Sequence, residues 1–379
     1  MLKNRFVAVC FCIIFILFWT CKSEEHTISD QSELVTITLK DAEQIKMSTL
    51  FDNLSYVVLD DEKDISLLKS VDKMEVCDSL MFLLDKTNNK LHCFDLEGIY
   101  LNTIGCVGNG PGEYVKISDF AIDHADHTIV ILDRNSRKIV VYSLDGNFIN
   151  SHAIGMMAES VSAYGDKYVF YTSGSDYYTS NKDELGYNLF ITDKKCNILS
   201  KMFKYNPNCE NIMKDRPFDF NWKDSTLLFH YAIYDTIYKM ASDGKMIKYV
   251  VDFGEQKVPI AKVNEENYKY YLNKDGYSII SKVCHSDNYM FINYAFNNRI
   301  RCIITDNKGK CIANSSMMKN DIDDTLFALF CPLKVIDNRA YFIRSSSDLL
   351  FDHKKDSLWI KNKCLTAESN PVIIIGYLK

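Results

Sequence analysis

At 379 residues, 47 % of them hydrophobic, the chain has ample material for a core, and no low-complexity stretch points to long disorder. A net charge of −6 without any basic run gives nucleic acid no electrostatic footing, which excludes that partner class. The 23 Tyr and 22 Phe, set among many Val, Ile and Thr, favour strands over helices.

In chain order, the first element is an export signal. Lys3 and Arg5 form a basic start, Phe6 to Trp19 is apolar throughout, and Cys21 follows. The apolar run suits a signal peptide and is short for a membrane span, which needs roughly 20 residues. The segment resembles a bacterial lipoprotein signal, with residues 1–20 removed and Cys21 lipidated. Residues 21–33 then form a tether, and Lys22-Ser23-Glu24-Glu25 resembles the acidic export tag of surface lipoproteins in Bacteroidetes. Cleavage removes two cations and takes the net charge from −6 to −8. Of thirteen cysteines, ten remain beyond Cys21. Cys77, Cys93, Cys284, Cys302 and Cys331 lie in apolar runs, where Cys acts as a small hydrophobe. Mostly free thiols, with at most one bridge, are expected, and the lack of any C-x-x-C argues against a zinc ribbon.

From residue 34 onward the chain repeats itself. LMFLLDKTNNKLHCFDLEGIYLNTIG (80–105) and TIVILDRNSRKIVVYSLDGNFINSHAIG (128–155) share an apolar run ending in Asp, an Asn-bearing turn, and a second turn closed by Gly98 or Gly146. Weaker copies follow at 167–205, 225–254, 288–316 and 339–347, each preceded by a short apolar segment. Four strands in each of six units predict a six-bladed β-propeller, an all-β fold occupying residues 34–379. The last copy lacks its outer strands locally. PVIIIGYLK (371–379) is expected to supply its third strand and SYVVLD (55–60) its outermost, so that N- and C-terminal strands close the ring.

The stretch GCVGNGPG (105–112) holds four glycines and a proline. A phosphate loop would be followed by a helix N-terminus, but a strand follows here, and Gly108-Asn-Gly110-Pro-Gly112 misses the dinucleotide spacing. The glycines are better explained as a tight inter-blade turn. Residues 103–149, with Gly-Glu-Tyr at 112–114 and a closing Asp-Gly, resemble an NHL-type blade. With GNGPGEY in its first blade junction and its C-terminal PVIIIGYLK, the chain over residues 34–379 is similar to the six-bladed β-propeller lipoproteins of Bacteroidetes. That resemblance implies a location in the cell envelope and leaves activity open.

Loop lengths separate the two faces of such a wheel. Turns between first and second strands, and between third and fourth, are minimal. The long insertions (172–186, 204–217, 254–276, 317–328 and 345–370) all fall on the opposite face, the pattern of a binding face. Candidate contacts there are Glu113, Tyr114, Arg134, Arg137, Asn297, Arg299 and Arg344, with Tyr177, Tyr178 and Trp359 able to stack on flat apolar surfaces. No catalytic residue, cofactor or metal ligand is assigned. There is no G-x-S-x-G and no H-E-x-x-H, and His124 and His127, despite H-x-x-H spacing, belong to a turn on the short-loop face. The expected function is an outer-membrane lipoprotein, exposed at the cell surface, that binds a glycan, peptide or protein, or serves an outer-membrane import complex. The alternative is a hydrolase or lyase working at the channel mouth.

Overall fold

The computed structural model describes residues 32–379 apart from 41–43, 173–185, 205–217, 222–225, 231–232, 242–244, 265, 268–269, 272–274, 324, 327, 330 and 362. The signal, Cys21, Tyr177 and Tyr178 lie outside the described residues, as does nearly all of the insertion after Thr172 and of the one after Lys204.

Antiparallel meanders dominate. Sheet I comprises Lys73–Cys77, Leu80–Asp85, Lys90–Asp95 and Tyr100–Thr103. Sheet II comprises Asp119–Asp123, Thr128–Asp133, Lys138–Ser143 and Phe148–Ala153. Sheet III runs from Ser160–Tyr164 to Ile198–Lys204, sheet IV from Phe218–Asn221 to Met246–Asp252, and sheet V from Ser278–His285 to Cys311–Ser315. Sheet VI is composite: Lys334–Ile336 and Arg339–Arg344 are followed by Val372–Leu378 and, outermost, Phe51–Val58. The innermost strands of these sheets touch in a closed cycle around one axis.

The expectation of six uniform four-stranded blades is corrected. Among the described residues, sheets of three or more strands number seven, not six. The additional one joins Ile45–Lys46, Met318–Lys319 and Ala328–Leu329, strands too short and too far apart in sequence to show a repeat, and sends no strand to the axis. Its Ile45, Met318 and Leu329 fill the core between sheets V and VI. The sheets are also unequal, because Glu33–Thr38 adds a fifth, parallel strand to the edge of sheet IV. The molecule is thus an all-β propeller of seven sheets, six of which reach the axis.

What holds it together is burial between neighbouring sheets. One apolar cluster fills each of the interfaces I–II, II–III, III–IV, IV–V, V–VI and VI–I. Runs such as Ile129-Val130-Ile131-Leu132 are fully buried because the odd and even side chains enter different clusters. Each such side chain contributes about 1.5–3 kcal/mol by leaving water.

The repeated Asp has a structural role. Buried Asp85 accepts hydrogen bonds from the Lys69 and Asn88 amides and from Ser70 Oγ, tying the second-to-third-strand turn to the preceding junction. Asp133 does the same with the Val115 and Ser136 amides. Burial alone would raise the Asp85 pKa, but the hydrogen bonds from Asn88, Lys69 and Ser70 outweigh it and hold the carboxyl below its ordinary range. Gly98 turns at φ +91, and a Cβ there would lie 2.6 Å from the Val58 carbonyl oxygen, so only glycine lets sheets I and VI meet.

Candidate functional site

Alternation of strand direction puts second-to-third-strand turns and inter-sheet junctions on one face and the remaining turns on the other. The insertion between Arg344 and Val372 is on the first of these. It forms a helix, α1 (Ser346–His353), and a hairpin of Leu358–Ile360 with Lys363–Leu365. Ser345 caps the helix by accepting from the Asp348 amide. Leu349 and Leu350 are buried beneath it, and Ile360 and Leu365 anchor the hairpin in the core between sheets V and VI. Polar pins complete the mounting. Buried Asn370 donates to the Asp60 and Ser66 carbonyls and accepts from the Leu68 amide. Arg344 donates to the Ala328 carbonyl at 3.0 Å and to Asp352 at 2.8 Å, while His353 Nε2 sits 2.7 Å from the Thr325 carbonyl oxygen. On this fixed support Phe351 is 82 % exposed and Trp359 68 %.

Most of the polar candidates on this face are engaged in structure. Glu113 lies inside the glycine-rich turn: its carboxylate accepts from the Gly110 amide at 2.7 Å, and a Cβ on Gly108 would collide with it. A carboxylate of the chain itself thus occupies the cradle that an anion would need. Tyr114 is buried, its hydroxyl donating to the Ile104 carbonyl. Tyr142 and Lys138 of sheet II clamp the same turn through the Gly112 and Glu113 carbonyls. Arg134 is paired with Glu159 at 2.8 Å across the II–III junction. Asn297, at φ +50, accepts from the Gly276 amide. Arg137 and Arg299 are exposed. The structure does not bring the seven candidates together. They are spread over the I–II junction and the turns of sheets II, V and VI.

The opposite face carries a concentration of chemistry that linear reading missed. First-to-second-strand turns of sheets VI, I and II surround a cavity of about 400 Å³ at the channel mouth, lined by Cys77, Asp78, His124, His127, Asp337 and Arg339 among others. Ligand atoms of Cys77, Asp78 and His127 all lie within 4.8 Å of one another. His127 carried a signal in its H-x-x-H spacing, but Cys77 and Asp78 come from a different sheet and had none. Deeper in, the channel wall pairs its charges. Lys73 meets Asp119 at 3.0 Å and Lys334 meets Glu75 at 3.3 Å, while away from the axis Lys194, in the third-to-fourth-strand turn of sheet III, contacts Asp123. Burial lowers the Lys194 ammonium to about 8.

Most of the remaining histidines and thiols are core residues, whereas His152 and Cys331 are half-buried and Cys106 and Cys364 exposed. Burial holds His92 and His230 neutral, with pKa values down to about 4, and His285 Nε2 meets Thr226 Oγ1 at 2.9 Å between sheets IV and V. All nine described cysteines are free thiols.

Comparison with known proteins agrees with the fold. The family model of the domain of unknown function DUF4934 matches residues 34–377, so the chain belongs to that family. The structure of an exported protein from Bacteroides fragilis is similar at TM-score 0.72 and 18 % identity, covering 91 % of this chain and 99 % of that one. A member of the DUF4221 family from Bacteroides vulgatus is similar at TM-score 0.53 and 12 % identity, covering 87 % and 97 %. At these identities the likeness shows the fold alone. The family match carries the assignment, and the NHL-like spacing of residues 103–149 is not needed for it. No curated protein matches the chain. No helix among the described residues is long and apolar enough to cross a membrane.

If Glu113 serves the turn, Glu113→Ala lowers stability in urea unfolding by about 1–3 kcal/mol, the cost of orphaning its partners. Arg299→Ala, at an exposed position, stays within about 0.5 kcal/mol. Equal effects of the two would contradict the assignment.

Proposed function

We propose that this DUF4934 member is a cell-envelope binding protein that takes its ligand on the long-loop face. One observation carries the reading: Phe351 and Trp359, eight positions apart in one insertion, are held out to solvent on elements otherwise fixed by capping, ion pairing and core burial. Aromatic rings presented on a rigid support bind with little loss of conformational entropy. The ligand class they suit has an apolar face, either a glycan ring or a nonpolar side chain of a peptide or partner protein. The polar candidates contribute little to this reading, because Glu113, Tyr114, Arg134, Asn297 and Arg344 are used in holding loops in place.

In the same reading, Cys21 is lipidated and tethers the propeller to the outer membrane with this face toward the cell exterior, where an import complex would be its neighbour. The support is the sequence of residues 1–25, together with structural likeness to an exported protein.

Two outcomes are expected. In glycan-array and peptide-library binding by residues 22–379, the Phe351→Ala/Trp359→Ala variant loses about thirtyfold or more in affinity, as for a central hot spot. Its thermal midpoint is unchanged, since both rings are exposed. Undiminished binding by the double variant would remove the long-loop face from consideration. For the anchor, a metabolic lipid label is incorporated by the wild-type chain and not by Cys21→Ala; equal labelling of both would exclude Cys21 as the site.

A further inference from the structure

The short-loop mouth of the channel has no place in the binding function proposed above, yet it collects three kinds of metal donor. Cys77 ends the innermost strand of sheet I and Asp78 begins the turn after it, while His127 closes the matching turn of sheet II. A sulfur, a carboxylate oxygen and an imidazole nitrogen therefore converge from two separate sheets to within 4.8 Å.

Cys77 belongs to the apolar cluster between sheets I and II, but burial does not account for the two polar side chains gathered beside it. Asp78 and His127 stand 3.5 Å apart with both side chains 62 % exposed, and an exposed pair of that kind contributes little to stability. Both residues hold left-handed backbone, at φ +55 and +51, as Asn89, Arg137 and Asp337 do in other turns of the wheel, so the turn geometry is that of the repeat and only its side chains are special here. The two turns thus bring their polar side chains together beside Cys77.

We propose that Cys77, Asp78 and His127 bind a divalent transition-metal ion of the zinc class. The mixed sulfur, nitrogen and oxygen set disfavours Mg²⁺ and Ca²⁺, which take oxygen ligands, and suits zinc. Metal–ligand bonds of about 2.0–2.3 Å place tetrahedral donors roughly 3.3–3.8 Å apart. Closing from the present spacing, at most 4.8 Å, falls to the exposed Asp78 and His127 side chains. On binding, the Cys77 thiol forms a sulfur–metal bond and releases its proton to solvent. The fourth position faces the cavity of about 400 Å³ that His124 and Asp337 also line, so it stays open to water or a small ligand. The ion would clip sheet I to sheet II at the axis.

The test uses residues 22–379 stripped of metal by chelator, with Zn²⁺ and Co²⁺ as probes. The expected result is uptake of about one Zn²⁺ per chain and, with Co²⁺, a sulfur-to-cobalt charge-transfer band in the near ultraviolet that Cys77→Ser abolishes. Asp78→Asn and His127→Asn, chosen because Asn accepts left-handed backbone, each weaken Zn²⁺ binding roughly tenfold or more and leave the circular dichroism unchanged. These exposed variants decide the matter even should Cys77→Ser fold poorly. No uptake above the chelated blank, or uptake indifferent to the Asp78→Asn/His127→Asn double variant, would overturn the proposal.

Discussion

The structure depends on one constraint: every axial sheet must bury both faces against neighbours. A four-stranded sheet on its own leaves two apolar faces in water. Stacking sheets side by side only moves the problem to the two ends, and a closed wheel removes it. Closure is made here by chain segments far apart in sequence. Val372–Leu378 is threaded between Arg339–Arg344 and Phe51–Val58, and their side chains complete the clusters on either side of sheet VI. The N-terminal segment does more than close the ring. It runs from the edge of sheet IV past sheet V, where Ile37 is buried, into the small seventh sheet and on to the edge of sheet VI. It thereby covers an outer edge that would otherwise invite pairing with another chain.

Much of this was legible because propeller repeats are local. The Asp that ends the second strand in sheets I and II, at 85 and 133, marks a hydrogen-bonded corner. Gly98 and Gly146 mark turns that need left-handed backbone. The completion of sheet VI by PVIIIGYLK and SYVVLD could be reasoned from missing strands. The seventh sheet could not, since two-residue strands such as Met318–Lys319 leave no periodicity to read. Nor could the fifth strand of sheet IV: a parallel addition at an edge is specified by burial of Ile37 against sheet V rather than by any turn signal.

The candidate sites were less legible, for a different physical reason. Residue type identifies what a side chain is able to do, while its partners decide what it does. Arg134 and Arg344 looked like ligand contacts because arginines on loops often are, and both are paired to carboxylates within the protein. Glu113 read as a surface acid and proves to be the nucleus around which a glycine turn folds. Conversely, Cys77 read as one more buried hydrophobe. Its proximity to Asp78 and His127 exists only because sheets I and II are adjacent at the axis. Of the aromatic candidates, Trp359 keeps the exposure expected of it, and Phe351, unremarked in the sequence, joins it because α1 buries its other apolar residues.

The central claim is that the wheel is one cooperative unit locked by the sheet that N- and C-terminal strands build together. Hydrogen exchange of residues 22–379, followed by mass spectrometry, tests it most directly. Peptides spanning Phe51–Val58 and Val372–Leu378 should exchange as slowly as the buried Thr128–Asp133 strand of sheet II, opening only with global unfolding. Early, independent exchange of those two segments would show that the ring is not closed by them, and the account of the fold would fail.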